Sequence, residues 1–538
     1  METYLLYIFL GLYLFSVCNT SVYYTYLWQL KEYRLDRMMD SMSTRTGFKK
    51  VFPAPQVIKV LLLIVGAIHF YFVRELETFV FFGFLALGLE VLDLFMRVLQ
   101  HRVFRPKKTT KATLITGATI GLMTLLGAGA LSFDMNYEAH ILTLFILSAV
   151  IGDVNSIMVF IFHPITKRMK QKVILKAKQK IAAQDVKVIG ITGSYGKSST
   201  KEFLYQILEA AYPGEVLRTP GNTNVDIGVA QVILKNLKPQ HKIMVVEMGA
   251  YKKGEIRAIC DIVKPEIGII TAVAAQHLAL FGSLKNIQDA KYELIESLPE
   301  DGVALFNVDS DGAVGLADRA IDDGRKILTF SCEKTAKFMA LHVQVQAREI
   351  NFDIHGVKFT ASVFGRQNLP NLLAAIAVAR ECGIPLQDIA KTVRNIQMPD
   401  KIMCLKESKT YGDDLLIIDD SYNANPDGVV AALNYMEAFK GYAKIFVFPG
   451  MLELGPKTDM EHIRVGKKIE KTCDFTVFTS EDFIKPIKLG LGDNYKKYII
   501  SQSAEQTLQA IKEYSKNGKI VVLFESRGSE SVMEELLK

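Results

Sequence analysis

No two of the six cysteines (Cys18, Cys260, Cys332, Cys382, Cys404, Cys473) are spaced Cys-x-x-Cys. Their scatter implies neither a zinc site nor a disulfide framework. Each fits a small core hydrophobe in a reducing compartment. Internal repeats and low-complexity tracts are also absent, which excludes repeat arrays and composition-biased tails. The apolar N-terminus lacks a basic n-region and a small-residue cleavage site and is followed by more spans, so it does not read as a good signal peptide. Acidic residues are outnumbered in one place only: residues 1–186 hold 21 Lys/Arg against 12 Asp/Glu, the remainder 43 against 45. The formal +7 therefore belongs to the N-terminal third of 538 residues, a length for about three or four domains. Beside apolar spans such an excess marks membrane orientation, with no nucleic-acid partner implied.

Five apolar segments occupy that third, roughly 3–27, 55–73, 78–96, 112–133 and 140–163, each near the ~20 residues that cross a hydrocarbon core. Tyrosine and tryptophan gather at the end of the first ("SVYYTYLW"), as at a membrane interface. The first loop carries Lys31, Arg34, Arg37, Arg45, Lys49 and Lys50, and the third carries Arg97, Arg102, Arg105, Lys107, Lys108 and Lys111. The second has only Arg74 and the fourth no Lys or Arg. The alternation predicts an N-terminus outside and residues 165–538 in the cytoplasm, a multi-pass inner-membrane protein. Residues 165–184 read as a basic linker helix near anionic headgroups. Glu90 and Asp93, three apart on one helix face, and Asp153 are functional candidates, because an unpaired carboxylate in lipid is costly. Equally, Glu90 and Asp93 lie near the cytoplasmic end, where hydration or basic loops would reduce them to packing aids.

Beyond 185, "KVIGITG", "KIMVVEMG", "EIGIIT", "GVALFN" and "KILTF" read as strands of a mostly parallel sheet, with helices at 199–211, 225–237, 254–262 and 284–297. This predicts a P-loop-type α/β domain over 185–398. Residues 339–363 alternate like appended antiparallel hairpins, and a helix follows at 370–382. A polar stretch near 398–413 suggests a boundary. A second, Rossmann-like α/β domain over 399–538 runs from "LLIID" through "KIFVFPG", "FTVFTS" and "IVVLFE". The expected fold class is thus an α-helical membrane bundle (1–164) followed by two α/β domains.

The stretch "KVIGITGSYGKSST" carries chemistry. Its strand delivers Gly193 and Gly196 to a turn whose backbone N–H groups, with the helix N-terminus, suit phosphate oxygens. Lys197 supplies a cation and Ser198 a Mg²⁺ ligand, with Ser194 and Ser199 in the same turn. The general P-loop pattern asks for glycine where Ile191 stands, so a mere packing turn is the alternative. Glu247 ends its strand at the carboxyl edge, where ligands bind and where a carboxylate suits Mg²⁺. His277 and Lys291 are candidates beside it, though a lone histidine is more often structural and a helical lysine more often a surface group. In "LLIIDDSYNANPDG" a strand ends in paired acids beside Tyr422, Asn423 and Asn425.

In order along the chain stand "TGSYGKSS", "TPGNTNVDIGVAQVIL", "VVEMGAYKKGEI", "QHLALFGSLKNIQDAKYELI", "FNVDSD", "GRQNLPNLLAAIAVA", "DDSYNANPDGVVAAL" and "PGMLELG". Together, over about 187–534, they resemble the Mur ligase family, most of all its UDP-N-acetylmuramoyl-tripeptide–D-alanyl-D-alanine ligase branch. The resemblance implies an ATP-dependent amide ligase working through an acyl phosphate. Gly193, Ser194, Gly196, Lys197, Ser198 and Ser199 would hold ATP phosphates, and Ser198, Glu247, His277 and a carbamylated Lys291 would hold Mg²⁺, two ions in all. Lys197, Lys291 and His277 would be catalytic. Asn307, Asn368 and Asn371 would lie near adenine, and Asp419, Asp420, Tyr422 and Asn423 at the interdomain ATP contact. Asn222, Thr223 and Asn224 match the substrate turn. Three features depart from the family. Membrane spans occupy the place of its UDP-binding domain. Its Gly-Arg before the last domain reads Asp400-Lys401, leaving Lys401 as the phosphate cation. Its Lys-Gly-Ser-Arg, which touches the incoming peptide, reads Glu525-Ser526-Arg527-Gly528. Three functions are therefore open: D-alanyl-D-alanine addition in peptidoglycan synthesis, the same chemistry on a lipid-linked envelope carboxylate, or a non-catalytic nucleotide-binding partner of other envelope proteins.

Overall fold

The computed structural model describes all residues except 44, 100–102, 275–280, 347, 400–401, 410–411, 422–423, 453, 493–494, 496, 517 and 526–529, and the side chains of 45–46, 412–413 and 455. The chain divides into two compact units, 1–171 and 172–538.

The first unit is helical: α1 Glu2–Leu30, α2 Leu35–Met42, α3 Arg45–Val51, α4 Ala54–Val73, α5 Glu77–Leu99, α6 Thr110–Leu131, α7 Tyr137–Ala149, α8 Ile151–Ile161 and the start of α9 His163–Ala182. Helices α1, α4, α5 and α6 are long and apolar enough to cross a membrane. The fifth expected span is instead a pair, α7 and α8, bent by 51°. Ser148 and Gly152 flank the break, and such small residues are common where helices kink. Ser148 Oγ bonds the Phe145 carbonyl at 2.7 Å, and the Tyr24 ring would lie 2.6 Å from a Cβ at Gly152. Helix α1 packs on α5, α6, α7 and α8. Large apolar side chains such as Leu61, Ile68, Phe72, Phe81 and Leu125 remain on the exterior, the arrangement of a helix that is apolar all round.

Inside this unit Glu90 is 3 % exposed. Its carboxylate accepts from Ser16 Oγ (2.8 Å), Asn19 Nδ2 (2.9 Å) and Thr20 Oγ1 (3.0 Å), all on α1. It also pairs with Lys59 Nζ of α4 at 2.6 Å. Neither hydration nor a basic loop satisfies it, because its cation comes from within an apolar helix. Asp93 pairs with Arg97 one turn on, and Asp153 is exposed.

The second unit opens with a seven-stranded sheet in the order β2-β3-β1-β4-β5-β6-β7: β1 Lys187–Thr192, β2 Val216–Arg218, β3 Ile243–Glu247, β4 Ile267–Ile270, β5 Val303–Asn307, β6 Lys326–Ser331 and β7 Phe338–Met339. Every pairing is parallel, so the central strands are covered on both faces and read as unbroken apolar runs. Helices α10 Lys197–Ala211, α11 Asp226–Asn236, α12 Glu255–Val263, α13 Leu284–Glu296 and α14 Asp311–Asp322 connect them. On one face α10 shares a core with α15 Leu369–Glu381 and α16 Leu386–Val393. That core extends to an antiparallel sheet of β8 Leu341–Val345, β9 Ile350–Ile354 and β10 Val357–Ala361. On the other face α11 to α14 pack with Ala177 and Ile181 of α9.

The last part is a six-stranded sheet ordered β11-β12-β16-β13-β14-β15. Its strands are β11 Cys404–Ser408, β12 Gly412–Asp420, β13 Ala443–Phe448, β14 Phe475–Phe478, β15 Tyr498–Ile500 and β16 Ile520–Glu525. Helices α17 Pro426–Met436, α18 Thr458–Thr472, α19 Ile484–Leu491, α20 Ala504–Ser515 and α21 Glu530–Leu537 cover its two faces. The polar stretch read as a boundary includes a strand, since β11 pairs antiparallel with β12.

Glu90→Leu alone leaves Lys59 buried without its partner, which costs about 3–5 kcal/mol. Thermal unfolding of the detergent-purified protein should show that loss. The double change Lys59→Met with Glu90→Leu should recover most of it, because no buried charge remains.

Candidate active site

β1 lies between β3 and β4, with Ile191 beside Glu247 and Thr192 beside Ile270. Three strand ends therefore open at one sheet edge, where ligands of parallel α/β sheets bind. Gly193 and Gly196 make the turn with φ of +154° and +84°. A Cβ on Gly196 would lie 2.2 Å from Asn371 Oδ1, so only glycine lets the turn close against α15. Gly196 is also the N-cap of α10, whose N-terminus carries about half a positive charge. The segment after β4 braces the turn. Thr271 Oγ1 donates to the Tyr195 carbonyl (2.5 Å), the Ser194 N–H to the Ala272 carbonyl (2.8 Å), and Ser194 Oγ to the Ala274 carbonyl (3.0 Å). Lys197 folds back so that Nζ donates to the Gly193 (2.7 Å) and Ser194 (3.3 Å) carbonyls.

Glu247, 1 % exposed, is the hub. Its Oε2 accepts from Ser198 Oγ (2.9 Å) and Lys201 Nζ (3.1 Å), and Oε1 from Asn224 Nδ2 (3.1 Å). The Glu247 N–H donates to Thr219 Oγ1 at 3.1 Å. Lys201, fully buried, also reaches the Gly221 carbonyl. The phosphate-type helix, the strand end and the Asn222–Asn224 turn are thus joined through one carboxylate. Asn222 is exposed, and Thr223 and Asn224 are half-buried. Ser199 is buried behind the turn.

Lys291, on α13, is 5 % exposed and has no hydrogen-bond or ion-pair partner among the described residues. Burial, reinforced by the Lys197 ammonium, drives its pKa well below the ordinary lysine range. Burial also lowers Lys197, and the Glu247 carboxylate offsets part of that. The two ammonium groups are thus close enough to act on one another.

No group of three or more His, Cys, Asp or Glu side chains forms a metal cage among the described residues. The donors present still fit Mg²⁺, which is commonly held by one or two protein oxygens together with phosphates and water. Ser198 and Glu247 are hard oxygen donors 2.9 Å apart.

Asn307 donates to the Thr271 carbonyl (2.8 Å) and accepts from the Asp309 N–H (3.0 Å). Asn368 donates to the Phe364 carbonyl (2.8 Å) and accepts from Asn371 Nδ2 (3.3 Å). Asp419 and Asp420 end β12 on opposite faces, as alternation requires. Asp419 is fully buried against Lys406 Nζ (2.6 Å) and Ser421 Oγ (2.5 Å). Asp420 is half-buried and accepts from the Met403 N–H (3.1 Å). His277, Lys401, Tyr422, Asn423, Ser526 and Arg527 lie outside the described residues.

The sequence reading passed over Lys201, Thr219 and Thr271. Lys201 had a signal: it falls in the apolar stripe of α10, three and seven positions before Leu204 and Leu208, where a charge must find a buried partner. The two threonines had none, because their partners come from other strands.

Residues 191–379 match the family described as Mur ligase middle domain, and residues 405–527 that described as Mur ligase, glutamate ligase domain. The UDP-N-acetylmuramoyl-tripeptide–D-alanyl-D-alanine ligase of Bacillus subtilis (strain 168) is 31 % identical over 374 residues, 67 % of this chain and 77 % of that protein. The enzyme of the same name from Escherichia coli (strain K12) is 32 % identical over 287 residues, 52 % of this chain and 61 % of its own length. Among solved structures, MurF from Acinetobacter baumannii superposes with a TM-score of 0.62 at 26 % identity, covering 68 % of this chain and 80 % of that one. The MurF ligase of Thermotoga maritima in complex with ADP gives 0.58 at 26 % identity, over 68 % and 82 %. Members of this family are ATP-dependent amide-bond-forming ligases. The paired domains, the glycine turn with its lysine and the carboxylate hub place this chain in the Mur ligase family.

Proposed function

We propose that this protein is a membrane-anchored ligase of peptidoglycan-precursor synthesis that adds D-alanyl-D-alanine to UDP-N-acetylmuramoyl-tripeptide. The convergence of Lys197, Ser198, Glu247, Asn224 and Lys291 at one sheet edge carries the reading. The names of the relatives support the substrate pair.

In this reading the turn Gly193–Ser199 binds ATP phosphates, and Lys197 exchanges its two carbonyl contacts for phosphate oxygens. Asn307, Asn368 and Asn371 shape the adenine side, and Lys401, Asp419, Asp420, Tyr422 and Asn423 the interdomain side. Ser198, Glu247, His277 and a carbamylated Lys291 would hold Mg²⁺, which when bound would supply charge neutralisation at the phosphates. A lowered pKa favours the neutral amine that carbamate formation needs, in which nitrogen bonds to the carbon of CO₂ and a proton is released. Asn222, Thr223 and Asn224 face the acceptor, and Ser526 and Arg527 the incoming peptide. The acceptor carboxylate attacks the γ-phosphorus and ADP leaves. The amine then attacks the acyl phosphate, a C–N bond forms, and phosphate departs. Orienting these partners and stabilising the developing charge account for catalysis.

Four apolar helices and a bent pair, with basic loops on alternate sides, support membrane anchoring with the N-terminus outside and the ligase domains in the cytoplasm. The apolar exterior of residues 1–171 favours one second reading, in which the acceptor carboxylate is lipid-linked and the helices bind its carrier. A non-catalytic role fits poorly, because it gives no reason for a buried Lys291 beside Lys197 that has no partner among the described residues.

Detergent-purified protein should release phosphate from ATP with UDP-muramoyl-tripeptide plus D-alanyl-D-alanine. No stimulation by that pair, with stimulation by lipid-linked precursors, selects the second reading. Lys197→Ala should lower release at least about 100-fold with either substrate set; full turnover would defeat the catalytic assignment. Isotopically labelled bicarbonate should produce a carbamate resonance in the wild type that is missing from Lys291→Arg, whose guanidinium does not deprotonate.

A further inference from the structure

β12 and β16 are parallel neighbours, and Asp420 and Glu525 are register partners at their carboxyl ends. Both extend the row of side chains that includes Ile418 and Leu523, on the face covered by α17 and α18. Glu525 is 1 % exposed, and neither of its carboxyl oxygens has a hydrogen-bond partner among the described residues. A buried carboxyl group left without a partner is rare and calls for an explanation. Asp420 has one partner, the Met403 N–H at 3.1 Å, and reaches solvent. The pair thus opens outward through Asp420 and is closed inward at Glu525. Helix α17, which begins just after Asp420, carries Asp427. The Asp427 carboxylate is near enough to Tyr195 in the phosphate-type turn to help burial push that phenol up to about 12. Helix α17 also packs against Arg366–Asn368, next to the Asn371 side chain that abuts Gly196 of the turn.

We propose that Asp420 and Glu525 receive the protonated amine of the second substrate, bind its ammonium group and take its proton. The proposal rests on the amide-ligase reading and assigns the amine side of that reaction. A primary ammonium supplies N–H donors and a positive charge, which are what the free oxygens of Glu525 lack. The steps balance. The ammonium proton moves to the carboxylate pair, leaving a neutral amine. The amine lone pair attacks the acyl carbon, the C–O bond to phosphate breaks, and the amide nitrogen's surplus proton leaves with phosphate. Burial and the neighbouring carboxyl push Asp420 up to about 7 and Glu525 well above the usual carboxylate range. Two adjacent buried carboxyls resist ionising together, which favours binding a cation and taking up its proton.

The test uses the full chain in detergent. Infrared difference spectra of the protonated carboxyl region are recorded on adding methylammonium chloride. Tetramethylammonium chloride, of equal charge without N–H donors, and magnesium chloride are the controls. A band is expected with methylammonium only, and is expected to vanish in Glu525→Gln. It should also vanish in Glu525→Lys, which inserts its own ammonium beside Asp420 and should unfold at a higher temperature than the wild type. In turnover, Glu525→Gln should lower amide formation with D-alanyl-D-alanine about 100-fold more than hydroxamate formation with hydroxylamine, a nucleophile that is neutral at neutral pH and needs no base. No methylammonium band in the wild type, or a magnesium band in its place, overturns the proposal. Equal loss of both products in Glu525→Gln overturns it as well, leaving Glu525 a structural group. A wild type that gives the band but makes neither product leaves the ammonium site standing and defeats the ligase reading instead.

Discussion

The ligase half of this protein depends on one buried carboxylate. Glu247 is almost wholly out of water, and an isolated charge there would be prohibitive. It is retained because Ser198, Lys201 and Asn224 approach it from three segments far apart in the chain. That requirement fixes where the phosphate-type helix and the Asn222–Asn224 turn must lie relative to β3. The parallel pairing of β1 between β3 and β4 then places the glycine turn against the same edge. Lys201 contributes no exposed surface. It holds the hub in place and shares one carboxylate oxygen with Ser198.

Buried charge is handled in three ways in this molecule. Glu90 in the helical unit is closed: a lysine and three polar side chains occupy it. Such a pair contributes little net stability, but losing one partner is costly, so it ties α4 and α5 to α1. Glu247 is shared between structural partners and a crevice. Glu525 is open, with no hydrogen-bond partner among the described residues. Carboxylates and lysines that are closed serve the fold. Those left open among the described residues, Glu525 and Lys291, both lie in residues 172–538.

Much of the fold was legible in the residues. The strand readings coincide with β1, β3, β4, β5 and β6, and with β12, β13, β14 and β16, because central parallel strands are continuous apolar runs between turn residues. Short edge strands β2, β7 and β15 were not legible, since two or three residues carry no period. β11 hid in a polar stretch because an edge strand is exposed along one side. The bend between α7 and α8 was missed because both halves are equally apolar. In the site, the glycine turn with Lys197 and the strand-ending Glu247 were visible as motifs. Lys59 was overlooked because it stands alone inside an apolar run, where its partner, in another helix, cannot be seen.

The sequence alone determined which chemistry the chain is equipped for. The order of its motifs is a one-dimensional property, and glycine, lysine and carboxylate positions at strand ends follow from local period and turn chemistry. Only the tertiary structure decided which charges are spent on the fold and which are left for a ligand. A charge's state depends on partners distant in sequence and on its distance from water. Glu90, Glu247 and Glu525 look alike as letters in apolar surroundings, and they differ only in what the folded chain brings beside them.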